Sequence, residues 1–167
     1  MSTHIIHPIE PFYDSESRIL ILGSFPSVKS RESGFYYGHP QNRFWPMLSR
    51  ILGEPAVPRT IEEKSSLLRR HHIALWDTIH ECDIEGSSDS SIRNVQVNDP
   101  RVILDTAGIR RIYANGTRSW ELYERFCRPL TGREAVKMPS TSPANAAWSL
   151  ERLITAWSEI RDWVSWT

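Results

Sequence analysis

Residues 18–23, Arg-Ile-Leu-Ile-Leu-Gly, constrain the fold more than any other segment. Successive side chains in a strand point to opposite faces, so an unbroken apolar run leaves neither face wet. Such a run reads as a strand buried on both sides, the setting of a parallel sheet covered by helices. Three further segments extend this sheet: 73–76, 111–115 and 134–138. The segments between them carry helical periodicity. In 42–52, Phe44, Met47, Leu48 and Ile51 share one face, Pro46 lies in the tolerant first turn and Gly53 ends the helix. Thr60 with Glu63 three residues on is a capping-box pattern for a helix to about residue 72. Helices are also predicted over 101–107 and 117–127. A last helix is predicted to start at Ser142-Pro143 and run to about residue 164, with Ala147, Leu150, Leu153, Ile154, Trp157 and Ile160 inward. Residues 24–41 and 81–100 read as loops, the second with one turn of helix. The alternation predicts an α/β fold: a three-layer α/β/α sandwich around a short, mainly parallel four-stranded sheet, as one domain over 1–167.

Composition narrows the function classes. The chain has 167 residues, 24% of them charged, and zero formal net charge. That balance gives no global basic signal for nucleic acid, although phosphate contacts need only a local patch. The two cysteines, Cys82 and Cys127, are far apart, which argues against a disulfide framework or structural zinc and for a reducing, cytoplasmic compartment. Two thiols are too few for an ordinary iron–sulfur cluster. His71, His72 and His80 lack metal-ligand spacing, so no metal and no cofactor is expected. Residues 1–10 have no apolar core for a signal peptide, and no run reaches membrane-spanning length. Trp148, Trp157, Trp163 and Trp166 crowd the C-terminal segment and read as packing.

In an open parallel sheet, ligands bind beyond the C-terminal strand ends. Three loops of unusual composition leave those ends and should converge: 24–41, 115–119 and 138–145. Gly23-Ser-Phe-Pro-Ser27 combines a residue permitting close backbone approach with a stiff turn. Phe35-Tyr-Tyr-Gly-His-Pro-Gln-Asn-Arg-Phe-Trp45 sets aromatic rings beside amides, a combination suited to a planar ring. Within it, Phe44 and Trp45 read as helix core, Tyr37 as a stacking platform, and Asn42 as either a helix cap or a catalytic amide. Met138-Pro-Ser-Thr-Ser-Pro-Ala-Asn145 offers three hydroxyls at a presumed helix start, a phosphate-binding arrangement. Pro143 and Ala144 could wedge into a duplex.

Together these strings resemble the uracil-DNA glycosylase superfamily, in particular its mismatch-specific uracil/thymine branch and the related hypoxanthine-DNA glycosylases. His39-Pro-Gln-Asn-Arg-Phe-Trp45 is similar to the branch's His-Pro-x-Asn-Arg-Phe-Trp. Met138-Pro-Ser-Thr-Ser142 is similar to its Met-Pro-Ser-Ser-Ser loop, and Tyr113-Ala-Asn-Gly116 to its Asn-Gly turn. Gly23-Ser-Phe-Pro-Ser27 stands where that branch has Gly-Ile-Asn-Pro-Gly. Phe25 therefore replaces the catalytic Asn, and a phenyl ring cannot position water. The resemblance then implies that Asn42 is the catalytic residue and that the substrate is DNA containing a deaminated base, hypoxanthine ahead of uracil or xanthine. It implies base binding by Gly23, Ser24, Phe25, Tyr37, His39 and Asn115. It further implies DNA contacts from Lys137, Ser140, Thr141, Ser142 and Pro143. Nothing in the sequence suggests an obligate dimer, so a monomer is expected. Asp77, at a strand end, reads as a cap. A damaged-DNA-binding module without chemistry and a small-molecule nucleoside hydrolase are the alternatives.

Overall fold

The computed structural model describes residues 2–164. Its centre is a four-stranded, all-parallel sheet in the order β3-β2-β6-β7, from β2 (Ile19–Gly23), β3 (Ile73–Asp77), β6 (Arg111–Asn115) and β7 (Val136–Met138). Ile19, Leu20, Ile21 and Leu22 are fully buried, as an apolar run on a strand covered on both faces must be. Chain connections run from β2 outward to β3 and then across to β6. The strand order therefore reverses beside β2, and a crevice opens past the C-terminal ends of β2 and β6, at Gly23 and Asn115.

Helices flank this sheet: α1 (Val28–Ser33), α2 (Phe44–Leu52), α3 (Ile61–Arg70), α4 (Arg101–Leu104), α5 (Thr117–Leu122), α6 (Arg128–Thr131), α7 (Leu150–Trp157) and α8 (Arg161–Val164). α2 buries Phe44, Trp45, Met47, Leu48 and Ile51, and ends at Gly53 in the left-handed region. At α3, Thr60 accepts from the Glu63 amide at 3.0 Å, and the Glu63 carboxylate accepts from the Arg59 amide at 2.9 Å. The predicted helix over 117–127 is α5 followed by one wide π turn, Tyr123–Cys127.

A second, three-stranded antiparallel sheet, β1-β4-β5, corrects the sequence reading. It is built from β1 (Thr3–Ile6), β4 (Ile79–Ile84) and β5 (Arg93–Val97), so two stretches of 81–100 are strand rather than loop, while the expected single turn of helix lies between them at Asp89–Ser91. Its alternation is hard to read because the β4–β5 pairing shifts register twice, and Asn94 takes a positive φ of 56°. A small core of Phe25, Ile79, Cys82, Ile84, Ile92 and Leu122 fixes this sheet to the loop after β2.

The last helix is also corrected. Ser142-Pro143 does not start it; 139–149 is a succession of turns, and α7 begins after Ser149, whose hydroxyl accepts from the Arg152 amide. The argument for phosphate at a helix N-terminus therefore does not apply to 140–142. Among the C-terminal tryptophans, Trp157 is fully buried and donates to the Pro139 carbonyl at 2.9 Å. Trp148 and Trp163 are partly buried, and Trp166 lies outside the described residues. Among the described residues, no helix is long and apolar enough to cross a membrane.

Candidate active site

A cleft of about 950 Å³ occupies the crevice past β2 and β6. All the residues singled out from sequence for catalysis, base binding and DNA binding line it, along with several that were not. The loops after β2, β6 and β7 converge as the parallel topology requires. At the turn after β6, Gly116 has φ 103° and the Ser140 β-carbon lies 3.1 Å from where its own would be, so a side chain would obstruct the approach of the 139–142 loop.

One wall is a neutral network of amides and a hydroxyl. His39 to Asn42 forms a turn, closed by the Asn42 amide donating to the His39 carbonyl at 2.9 Å, with Pro40 at its second position. His39 Nδ1 accepts from the Gln41 amide, which leaves Nε2 for the cleft. The turn delivers Asn42, whose Oδ1 accepts from the Phe44 amide at 2.9 Å and from the Thr141 hydroxyl at 2.8 Å. Thr141 Oγ1 in turn accepts from Asn115 Nδ2, and the Thr141 amide donates to Asn115 Oδ1, both at 3.0 Å. The Phe44 N–H can only donate, so it fixes which Asn42 atom is oxygen, and every proton in the chain follows. Both lone pairs of Asn42 Oδ1 are thus committed, and among the described residues its NH₂ has no partner. Asn42, one residue ahead of the N-cap Arg43, both holds the first amide of α2 and lines the cleft. Thr141 is fully buried, and its hydroxyl is spent holding two amides, with no exposed surface for a phosphate.

Arg43, passed over in the sequence, clamps this wall. Its backbone amide and Nε both reach the Thr141 carbonyl, Nη2 donates to the Ser142 and Asn145 carbonyls at 2.8 and 3.1 Å, and Nη1 donates to the Trp148 carbonyl. A planar fork with several fixed donors does this where a flexible ammonium could not. Ser140 Oγ and Ser142 Oγ accept from the amides of Ser142 and Ala144, so their hydroxyl protons stay available as donors. Pro143 stands next to them on the cleft rim. The Lys137 ammonium lies 5.2 Å from the centre of the Trp120 ring, a cation–π contact that holds it at the rim.

The opposite wall is charged and carries the pieces that sequence reasoning missed. Asp77 ends β3 in register with Gly23 and is 3% exposed. Its Oδ2 accepts from His7 Nε2 at 2.7 Å, and both side chains are at least 95% buried. Asp77 Oδ1 presses against Gly23: a β-carbon there would sit 2.3 Å away, so only glycine fits. Asp77 is thus a cleft carboxylate rather than a cap. Its place at the end of a strand was legible, but its register with Gly23 is set only in the folded sheet, and nothing in residues 1–10 announced His7. Beside them, the Ser24 hydroxyl donates to Asp89 at 2.9 Å, and enclosure in the cleft raises the Asp89 carboxyl above the usual carboxylate value. The Ser24 and Phe25 amides donate to no group among the described residues. The Phe25 ring itself is turned into the small core, edge-on to His7 at 5.7 Å.

Tyr37 joins the walls. Its ring stacks on Phe44 with centroids 4.0 Å apart, and its φ of 53° is a strained value for a bulky residue. Burial, then the Asp77 charge, raise the phenol above its ordinary pKa, and the Asn115 side chain acts the other way. The hydroxyl stays protonated.

A cleft at the reversal point of a four-stranded parallel sheet, with an oriented Asn amide and a serine loop at its rim, meets its counterpart among known proteins. The family model described as the uracil DNA glycosylase superfamily matches residues 10–161. The chain is 35% identical over 150 residues to the hypoxanthine DNA glycosylase of Methanosarcina barkeri, covering 89% of this chain and 93% of that protein. It is 36% identical over 140 residues to the hypoxanthine DNA glycosylase of Methanosarcina acetivorans, covering 83% and 87%. The solution NMR structure of a Methanosarcina acetivorans protein assigned to the uracil DNA glycosylases superposes with a TM-score of 0.76 at 32% identity, over 93% of this chain and 96% of that one. The chain belongs to the uracil DNA glycosylase superfamily. It is a DNA glycosylase.

Proposed function

We propose that this glycosylase removes hypoxanthine from DNA by hydrolysing the N-glycosidic bond of deoxyinosine, as the first step of base excision repair, with uracil and xanthine as lesser substrates. The observation that carries the reading is the Asn42 amide, held by Phe44, Thr141 and Asn115 at a cleft where Phe25 supplies no amide. The names of the two Methanosarcina relatives support the choice of base.

The target nucleotide leaves the stack and enters the cleft. The Ser24 and Phe25 amides donate to the base, and Tyr37, backed by the buried Phe44 ring, forms the aromatic side. Bond cleavage builds positive charge on the sugar and moves the bonding pair onto the base, which in a purine is offset by a proton taken up at N7 from solvent water, and pre-set donors to the base lower the barrier further. Asn42 has no free lone pair for the proton of a water. It acts through its NH₂, which holds a water by its oxygen toward the anomeric carbon, and the proton that water loses on forming the C1′–O bond returns to solvent water. Such a neutral positioner suits a dissociative reaction, in which bond breaking precedes attack. Ser140, Ser142 and Lys137 hold the phosphates flanking the lesion, with Pro143 entering the gap.

The test is an inosine-containing duplex incubated with the wild type and with Asn42→Ala, then treated with alkali. Strand scission by the wild type and its near-loss in the variant support the reading. Binding without scission by the wild type would identify a DNA-binding module instead.

A further inference from the structure

The site contains a buried carboxylate that the mechanism above does not use. Asp77 Oδ1 lies at the cleft floor against Gly23, and among the described residues no hydrogen bond reaches it. Its other oxygen is held by His7 at 2.7 Å. The Ile9 amide approaches His7 Nδ1 at 3.3 Å, so Nδ1 carries the lone pair and Nε2 the proton given to Asp77. His7 comes from the segment linking β1 to β2. The antiparallel sheet brings it 70 residues along the chain to Asp77, and the His7 amide donates to the His80 carbonyl at 2.7 Å to seat it. A buried carboxylate with one oxygen anchored and the other left for the cleft is an acceptor awaiting a donor.

We propose that the His7–Asp77 pair determines the specificity of this glycosylase, with Asp77 Oδ1 accepting the ring N–H of a 6-oxopurine and His7 holding the carboxylate in place. The inference rests on the reading of the site as a base pocket. Two consequences follow from charge and hydrogen-bond polarity. Adenine has a lone pair at the ring nitrogen where hypoxanthine has N–H, so it faces the carboxylate acceptor to acceptor and is rejected. Uracil has an N–H for Asp77, but departs with the bonding pair on a ring that has no second basic nitrogen. A purine can take a proton from solvent water at N7 before the N9–C1′ bond breaks, and so departs neutral. A fixed negative charge at the pocket floor opposes an anionic leaving base and leaves a neutral one unpenalised. His7 is a positioning residue and Asp77 the residue that touches the base.

The experiment measures single-turnover cleavage of inosine- and uracil-containing oligonucleotides by the full chain and by Asp77→Asn, His7→Leu and His7→Gln. Asp77→Asn keeps the shape and removes the charge, so the inosine-to-uracil rate ratio should fall by about tenfold or more, with uracil cleavage itself holding or rising. His7→Leu should shift the ratio the same way, and His7→Gln, which retains an N–H donor, should restore much of it. A merely structural pair would depress both lesions in proportion, and an unchanged ratio in Asp77→Asn overturns the proposal. Should Asp77→Asn fail to fold by circular dichroism, the His7 variants decide: equal ratios in Leu and Gln overturn it. A wild type that cuts no inosine would instead remove the proposed function itself.

Discussion

The two walls of the cleft solve the same problem in opposite ways. The Asn42–Thr141–Asn115 wall is neutral, and its hydrogen-bond directions are fixed by one backbone amide. It is built from loops leaving the parallel sheet, and Arg43 ties the outer loop down. The His7–Asp77 and Ser24–Asp89 wall is charged, and half of it comes from the antiparallel sheet and its flanks. Polar satisfaction makes the first wall rigid, the condition for holding a water in one place. The second keeps an oxygen unfilled, the condition for reading a ligand.

Breaking the neutral wall at its working end has the largest expected effect. Asn42→Ala should slow inosine cleavage by about 10²–10³-fold, the scale of a lost positioned donor, in single-turnover assays. A loss of only a few-fold would move catalysis to the other wall. Arg43→Ala should cost about 2–3 kcal/mol in urea unfolding, because several carbonyls of the 141–148 segment lose a charged donor. Arg43→Lys should recover less than half, since an ammonium cannot fork. Thr141→Val keeps the shape and leaves Asn42 and Asn115 without their shared hydroxyl. It should cost about 1–2 kcal/mol and lower the cleavage rate with it. If stability falls but the rate does not, the network is scaffold only. Replacing Ser140 and Ser142 by Ala should weaken DNA binding by about fivefold in fluorescence anisotropy at fixed salt, about the worth of one neutral hydrogen bond.

The smallest effect sharpens the comparison from outside the cleft. His4 on β1 joins Asp83 and Glu81 on β4 at 2.8 and 2.9 Å. Hydrogen bonding to Asp83, then Glu81, raises the His4 pKa above 6.5, and Asn94 with His4 lowers that of Asp83 below 3.8. A raised histidine contributes stability that is full below its ordinary value and lost as pH rises through the raised one. A lowered carboxylate contributes above its ordinary value and loses it as pH falls. The clasp is therefore strongest in mildly acidic solution, between those limits. The urea midpoint of the wild type should exceed that of His4→Gln slightly near pH 5.5, and the difference should vanish by about pH 9. A difference that grows with pH would reverse the assignment.

Much of the parallel half was legible. The apolar run at β2, the capping residues of α3 and the helical face of α2 each carry a strong local signal, and they came out as the periodicity indicates. The antiparallel half was not. β4 and β5 are polar on one side, broken by register shifts and interrupted by a residue in the left-handed region, so no clean alternation survives. The start of α7 was misplaced because Ser142-Pro143 carries a helix-start pattern that the loop uses for turns, while Ser149 supplies the actual cap.

For the site, the local strings and the family resemblance they carry pointed to Asn42, Tyr37, Asn115 and the serine loop, and the structure brings these residues together in one cleft because each sits at a strand end or in a turn. That Asn42 both holds the first amide of α2 and lines the cleft could not be read from the string, since its second hydrogen bond comes from residue 141. The same limit hid Asp77 and His7. Residue type and periodicity act over one or two turns of chain, and they determined the central strand, the sheet class and the loops that converge on it. Which carboxylate faces the pocket, and which imidazole holds it, depends on a contact between residues 70 positions apart. Only the folded sheets bring that pair together, because its energy comes from mutual burial that no short segment contains.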